Sequence, residues 1–251
     1  MKKDAAGESL AKTTTFARQH YGQKLSGAGV LLFPHCVKVA RQAEQIAHKL
    51  YQDVRADYFP ENTKDSIAAI VQVALLHEVL NVSACSFESI AEVATVQIAA
   101  MVADISRDFR LVETKRDMEF RGRLSQSPVG AQIVVAANVL CTGQVLLQQI
   151  QKEGLPAANR AKKLLTQLDG DLLALHAANR YYMLRMYAHA ARNLLVDVSH
   201  HIKDCKHKAR ADKLAAKSEK RLRERLADKE KQQEQELRYA RKQRCDGADK
   251  G

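Results

Sequence analysis

From Ile67 to Leu80 the chain is apolar at nearly every position, and the ionisable interruption is a neighbouring pair, His77-Glu78. Ile67, Ile70, Val71, Ala74, Leu75 and Val79 recur at helical spacing and make a broad apolar face. The pattern predicts a central, buried helix that carries an imidazole and a carboxylate into the core. Burying such groups without partners costs several kcal/mol, so they must meet each other, another polar group or a cation. Any fold for this chain has to answer that demand.

Composition narrows the class. Gly and Pro number only 11 and 4, aromatics make up 5%, and Trp is absent, which leaves few turn residues to build hairpins. Ala, Leu, Lys, Arg and Gln favour helix, and a hydrophobic share of 46% suffices for a packed core. The expected fold is all-α.

The Thr13-Thr14-Thr15 run predicts an N-cap for a helix ending near Gln23. A loop over Lys24–Phe33 holds Gly27 and Gly29, and Pro34 suits the first turn of a helix reaching about Gln52. After a polar link over 53–62, Thr63 is the expected cap of the apolar helix that bears His77-Glu78, with Ser86 and Thr95 capping two shorter ones. A loop over 106–111 leads to a charged helix from Val112 to Leu124. Ser127-Pro128 then opens a long helix to about Lys152, and Gly154 and Pro156 break it. Two further helices are expected at 157–168 and 171–201, separated by Asp169-Gly170. The implied division is 1–155, then 156–202 packing upon it, then a tail over 203–251.

No run approaches the ~18 apolar residues of a membrane span, and the start MKKDAAGESL lacks the apolar stretch of a signal peptide. Five scattered cysteines without a CxxC pair argue against a disulfide framework. These features predict a cytoplasmic protein with no transmembrane segment.

His35, His77, Glu78 and Asn138 all fall on apolar helix faces. Two imidazoles and a carboxylate from separate helices can hold Mn²⁺, Fe²⁺ or Zn²⁺, which would activate water and neutralise phosphate charge. The alternative is that each is a core polar group hydrogen-bonded locally.

A resemblance bears on that choice. Residues 17–23 (ARQHYGQ), Ser26-Gly27, Phe33-Pro34-His35 with Val39-Ala40, and Ala74-Leu75-Leu76-His77-Glu78-Val79 are similar, in order, to segments of the HD-domain (p)ppGpp hydrolases. That family comprises small alarmone hydrolases and the hydrolase half of Rel/Spo enzymes. The segments Ser86–Ile90, Val102–Asp104, Glu113–Arg116 and Ser125–Val134 resemble its later half. The resemblance spans residues 16–150 and implies an HD-type helical bundle with metal-dependent removal of 3′-pyrophosphate from guanosine tetra- or pentaphosphate. It implies His35, His77, Glu78 and Asn138 as metal ligands, with Mn²⁺ the expected ion, and Lys24, Lys115, Arg116 and Thr142 as substrate-binding positions.

The chain departs from that pattern at the chemistry. Glutamate and asparagine stand at Glu78 and Asn138, where the family has aspartates. The family's acidic pair after the HD motif is replaced by Asn81 and Val82, and neither can act as a general base near neutral pH. Glu78 and Asn81 are the catalytic positions the resemblance implies. The loop arginine expected to stack on the base is replaced by Lys24 or Leu25, and Thr142 replaces an asparagine. The expectation is a phosphohydrolase with catalysis weakened or lost; the alternative is a non-catalytic nucleotide-binding or interaction protein.

Residues 201–251 hold 17 Lys/Arg against 10 Asp/Glu, a surplus of 7 within the chain's net +11. Leu214, Leu222, Leu226 and Leu237 are too irregular for a heptad seam, so a solvated helix or a disordered tail is expected. Through 203–244 it could contact RNA or an acidic surface by counterion release. His200, His201, Cys205 and His207 lack zinc-site spacing. Cys36 and Cys141 read as small buried hydrophobes near the site. The Tyr181, Tyr182, Met183, Met186 and Tyr187 cluster reads as core packing.

Overall fold

A computed structural model describes residues 2–53, 63–178 and 182–248. Among them are ten α-helices and no strand: α1 (Lys2–Tyr21), α2 (Leu32–Asp53), α3 (Thr63–Leu76), α4 (Val79–Val82), α5 (Phe87–Val93), α6 (Val96–Asp104), α7 (Glu113–Leu124), α8 (Val129–Glu153), α9 (Leu155–Ala178) and α10 (Tyr182–Ala248). The chain forms two compact units, Met1–Ile202 and Lys203–Gly251. The polar link predicted at 53–62 lies, apart from Asp53, outside the described residues.

In the first unit α2 packs on α3 and α8, and α9 packs on α7 and α8. Val39, Ala43, Ile46 and Leu50 of α2 meet this core at helical spacing, all fully buried. α8 is long and apolar enough by length and composition to cross a membrane, but here most of that stretch is buried inside the fold. The first part of α10 buries Leu184, Ala188, Ala191, Leu195 and Val198, with Leu194 and Leu195 lying against Gly143 of α8.

Four elements differ from expectation. The threonine run does not cap α1, which begins earlier. Thr13, Thr14 and Thr15 sit inside it, and their hydroxyls donate to the carbonyls of Ser9, Leu10 and Ala11 at 3.0, 2.7 and 3.0 Å. The Thr13 hydroxyl also lies 2.9 Å from Gln72 Oε1 and shares its one proton between that oxygen and Ser9 O, which links two buried polar groups across α1 and α3. Ser127 likewise turns back, donating to Arg123 O at 2.9 Å, and Pro128 occupies the cap position of α8 in extended conformation.

The apolar helix breaks before its ionisable pair: α3 ends at Leu76, and His77-Glu78 form a turn. Asp169-Gly170 does not separate two helices, because α9 runs through it. The Arg121 guanidinium lies over Gly170, where a Cβ would displace it. Other expectations agree with the structure. Ser86 and Thr95 accept from Ser89 N and Ile98 N, both at 3.2 Å, as N-caps. Gly154, at φ +66°, ends α8.

Candidate active site

Tyr21, the last residue of α1, makes the break between α3 and α4. Its buried hydroxyl donates to Leu75 O at 2.9 Å and accepts from Glu78 N at 3.4 Å, so one phenol satisfies backbone groups on both sides of the turn. Burial pushes that phenol well above its ordinary pKa, which keeps the donor in place. His77 and Glu78 leave this turn toward a cavity of about 320 Å³. His35 reaches it from the first turn of α2, and Asn138 and Thr142 from one face of α8. Helices far apart in sequence thus bring together the four residues implied as metal ligands.

Their hydrogen bonds fix the tautomers. Asn138 Oδ1 can only accept, so at 2.9 Å His35 donates to it through Nε2–H, and Thr142 Oγ1 donates to the same oxygen at 3.2 Å. His77 donates through Nδ1–H to Ala74 O at 2.7 Å. Two bare ring nitrogens remain, His35 Nδ1 and His77 Nε2, both buried and without a hydrogen-bond partner. The rings lie 5.9 Å apart, and His77 Nε2 is 3.8 Å from Glu78 Oε1. Burial, and then the neighbouring His77, pulls the His35 imidazole down from its ordinary 6.5 to about 4, against the opposing pull of Asn138. His35 is therefore drawn neutral, the state in which imidazole ligates metals.

The His77 arrangement, with one ring N–H held by a backbone carbonyl and the other nitrogen bare, is that of a metal-ligating histidine. Glu78 adds a carboxylate and Asn138 a carbonyl oxygen. This donor set fits a divalent cation, but weakly. Among the described residues no three His, Cys, Asp or Glu side chains are grouped as metal ligands. Asn138 carries no charge, and His35 would have to move its proton to Nδ1, where it has no acceptor.

The supposed catalytic Asn81 is committed to protein partners. Its amide nitrogen donates to Glu78 Oε2 at 2.9 Å and its carbonyl accepts from Arg107 N at 3.1 Å. It holds the carboxylate and the loop after α6 together, and a neutral amide has no basic site to take a proton from water.

The far wall was hidden in the sequence. Arg107 pairs with Asp117 and with Asp171, and Arg121 reaches Asp171 at 3.3 Å. Arg107 also stacks on Phe120 at 4.0 Å, and Leu164, Gln167 and Leu168 of α9 complete the wall. The side chains of Arg107 and Asp171 are 9% and 5% exposed. Burial pushes the Asp171 carboxyl up, and the two guanidiniums pull it back. Arg123 sets the position of Arg107 by donating to Ala103 O at 2.6 Å and Ser106 O at 2.7 Å, where α6 ends. No spacing in the sequence signals this network, since its members come from a loop and two helices.

The predicted substrate-binding cations do not line the cavity. Lys24 is exposed, with Nζ donating to His20 O at 3.0 Å, and its neighbour Leu25 lines the cavity instead. Lys115 is exposed on α7. Arg116 stacks at 4.7 Å on Phe109, whose ring does line the cavity. Cys36 and Cys141 are buried away from it. Burial pushes both thiols up, Cys141 to about 11, so neither offers a thiolate. His201 is committed to Asp197 O at 3.0 Å, and the His200–His207 stretch forms no metal cluster among the described residues. Of the tyrosine–methionine cluster, Tyr181 lies outside the described residues, while Met186 is exposed.

No family model and no curated protein matches the chain. A solved structure does: a metazoan ortholog of SpoT that hydrolyzes ppGpp and plays a role in starvation responses. The match has 14% identity and a TM-score of 0.51, over 73% of this chain and 93% of that one. The likeness shows the fold. The all-α, HD-type bundle expected from the sequence is the architecture of this chain.

Proposed function

We propose that the chain is a divergent HD-type metal-dependent phosphohydrolase of low turnover, acting on a guanosine tetra- or pentaphosphate or a closely related phosphorylated nucleotide. The observation that carries this reading is the buried, bare Nε2 of His77, whose other ring nitrogen is held by a backbone carbonyl, at a cavity lined also by Glu78 and Asn138. Leaving such a group without a partner opposes folding, and a bound cation with its anionic ligand is the simplest group that satisfies it.

His77, Glu78 and Asn138 would hold the cation, with His35 joining after a tautomer change. When bound, the ion would polarise a phosphoryl oxygen and acidify water. The chain's own part is to position and to exclude water. Tyr21 fixes the His77-Glu78 turn, Asn81 restrains the Glu78 carboxylate, and Phe109, Phe120, Leu164 and Leu168 supply apolar walls. A side chain that could take a proton from water is absent at Asn81 and Val82, and loss of a general base typically lowers rates by about 10²–10⁴.

The test is pyrophosphate release from ppGpp with added Mn²⁺, beside His77→Ala. Slow release that the variant abolishes supports the proposal. The occupied amide of Asn81 favours one competing reading, a non-catalytic nucleotide-binding protein. Tight ppGpp binding with no release in either protein would establish it.

A further inference from the structure

The second unit carries a feature that the cavity does not use. Along α10, Lys203, Lys206, Arg210, Lys213, Lys217 and Lys220 follow one another at alternating intervals of three and four residues. That spacing stacks side chains on a single helix face, so the six cations form one row of about 26 Å. Lys206 is half-buried and the other five are exposed. Among the described contacts Lys203, Lys206, Arg210, Lys213 and Lys217 make no ion pair, and only Lys220 approaches an acid, Glu224, at 3.9 Å.

The acids are segregated from this row. Asp204, Asp212 and Glu219 each adjoin a row residue in sequence, which puts them about 100° around the helix. They stand instead four residues from the basic groups off the row: Asp204 and Asp212 flank Lys208, and Glu219 pairs with Arg223 at 2.6 Å. One side of the helix is thus balanced, while from Lys203 to Lys220 the charges on the other are all positive, with Glu224 following one turn beyond.

We infer that this row is a docking surface for the phosphate backbone of a nucleic-acid duplex. Its cations succeed one another about 5 Å apart along the axis, a linear array suited to a regular row of phosphates. Residues 203–221 contain one leucine, Leu214, and no Phe, Tyr or Trp. A lipid-bound helix needs an apolar face, and a single-strand site needs aromatic platforms for the bases. A duplex, whose bases are already stacked, needs neither. The surface reads charge and not sequence, and it stands or falls separately from the proposed hydrolase.

The experiment uses the full chain and fluorescence anisotropy with a labelled 30-base-pair RNA duplex and its DNA counterpart, titrated in KCl. The expected log–log salt slope is about −5. Arg210→Gln/Lys217→Gln should weaken binding about tenfold or more and make the slope shallower by about 2. Lys208→Gln/Arg223→Gln removes the same charge off the row and should change affinity less than about twofold. Equal losses in the two variants would overturn the row. So would absence of duplex binding, or equally tight binding to phosphatidylserine vesicles or polyglutamate.

Discussion

The two walls of the cavity handle buried polarity in opposite ways. Around Arg107 every charge has a partner: two carboxylates, a second guanidinium and an aromatic face. Around His35 and His77 each ring uses one nitrogen and leaves the other bare in the interior. Full satisfaction is what a structural ion network needs, because a buried charge without its partner is far costlier than the pair is favourable. Incomplete satisfaction on the facing wall costs stability and serves no packing purpose. The contrast separates the half of the site that holds α6, α7 and α9 in place from the half open to a ligand.

Asp171→Ala should break the contrast most severely. It leaves Arg107 with Asp117 as its one remaining carboxylate and Arg121 with only its weak bond to Gln167 O, two guanidiniums for one carboxylate, and a loss of about 3–5 kcal/mol is expected in urea unfolding. Acid should act on the other wall. His35 titrates near 6.5 unfolded and at about 4 folded, so its contribution is complete above pH 6.5 and is lost as pH falls toward 4. The full loss is about 3 kcal/mol, and unfolding midpoints between pH 7 and 4.5 should fall less steeply in His35→Asn than in the parent.

His77→Ala, by contrast, removes one hydrogen bond and one unsatisfied nitrogen together. It should cost only about 1 kcal/mol despite the burial of the ring, and a loss as large as that of Asp171→Ala would erase the distinction between the walls. Gly170→Ala gives the smallest effect and the sharpest sign. In an ordinary helix interior the change stabilises, but here the new methyl displaces the Arg121 guanidinium from Asp171, so a net loss of about 0.5 kcal/mol is expected in thermal unfolding.

Periodicity made much of this molecule legible. The apolar faces of α2, α3 and α8 were visible at helical spacing; those of α2 and α8 carry His35 and Asn138 to the site, and the turn after α3 delivers His77. Ser86 and Thr95 were legible because an N-cap is a local interaction between residues three apart. What could not be read depended on distant partners. Thr13 looks like a cap until Gln72 of α3 meets it. The turn at His77 exists because a tyrosine more than fifty residues earlier satisfies its backbone, and Gly170 looks like a break until an arginine side chain lies across it. Arg107 and Asp171 are ordinary surface-type residues whose meaning arises only in the folded wall. The four residues that the resemblance implies as metal ligands were legible as a group, but the proton on His35 Nε2 became visible only with the Asn138 bond.

The proposed cation site turns on the bare Nε2 of His77 being held for a metal. Electron paramagnetic resonance of free Mn²⁺, titrated with the parent chain, His77→Ala and Asn138→Asp, tests it directly. The account predicts one weakly held Mn²⁺ per parent chain, none in folded His77→Ala, and binding at least about tenfold tighter in Asn138→Asp, where a carboxylate replaces the neutral amide. Mn²⁺ signals that the parent and His77→Ala reduce equally, with no gain from Asn138→Asp, would contradict it.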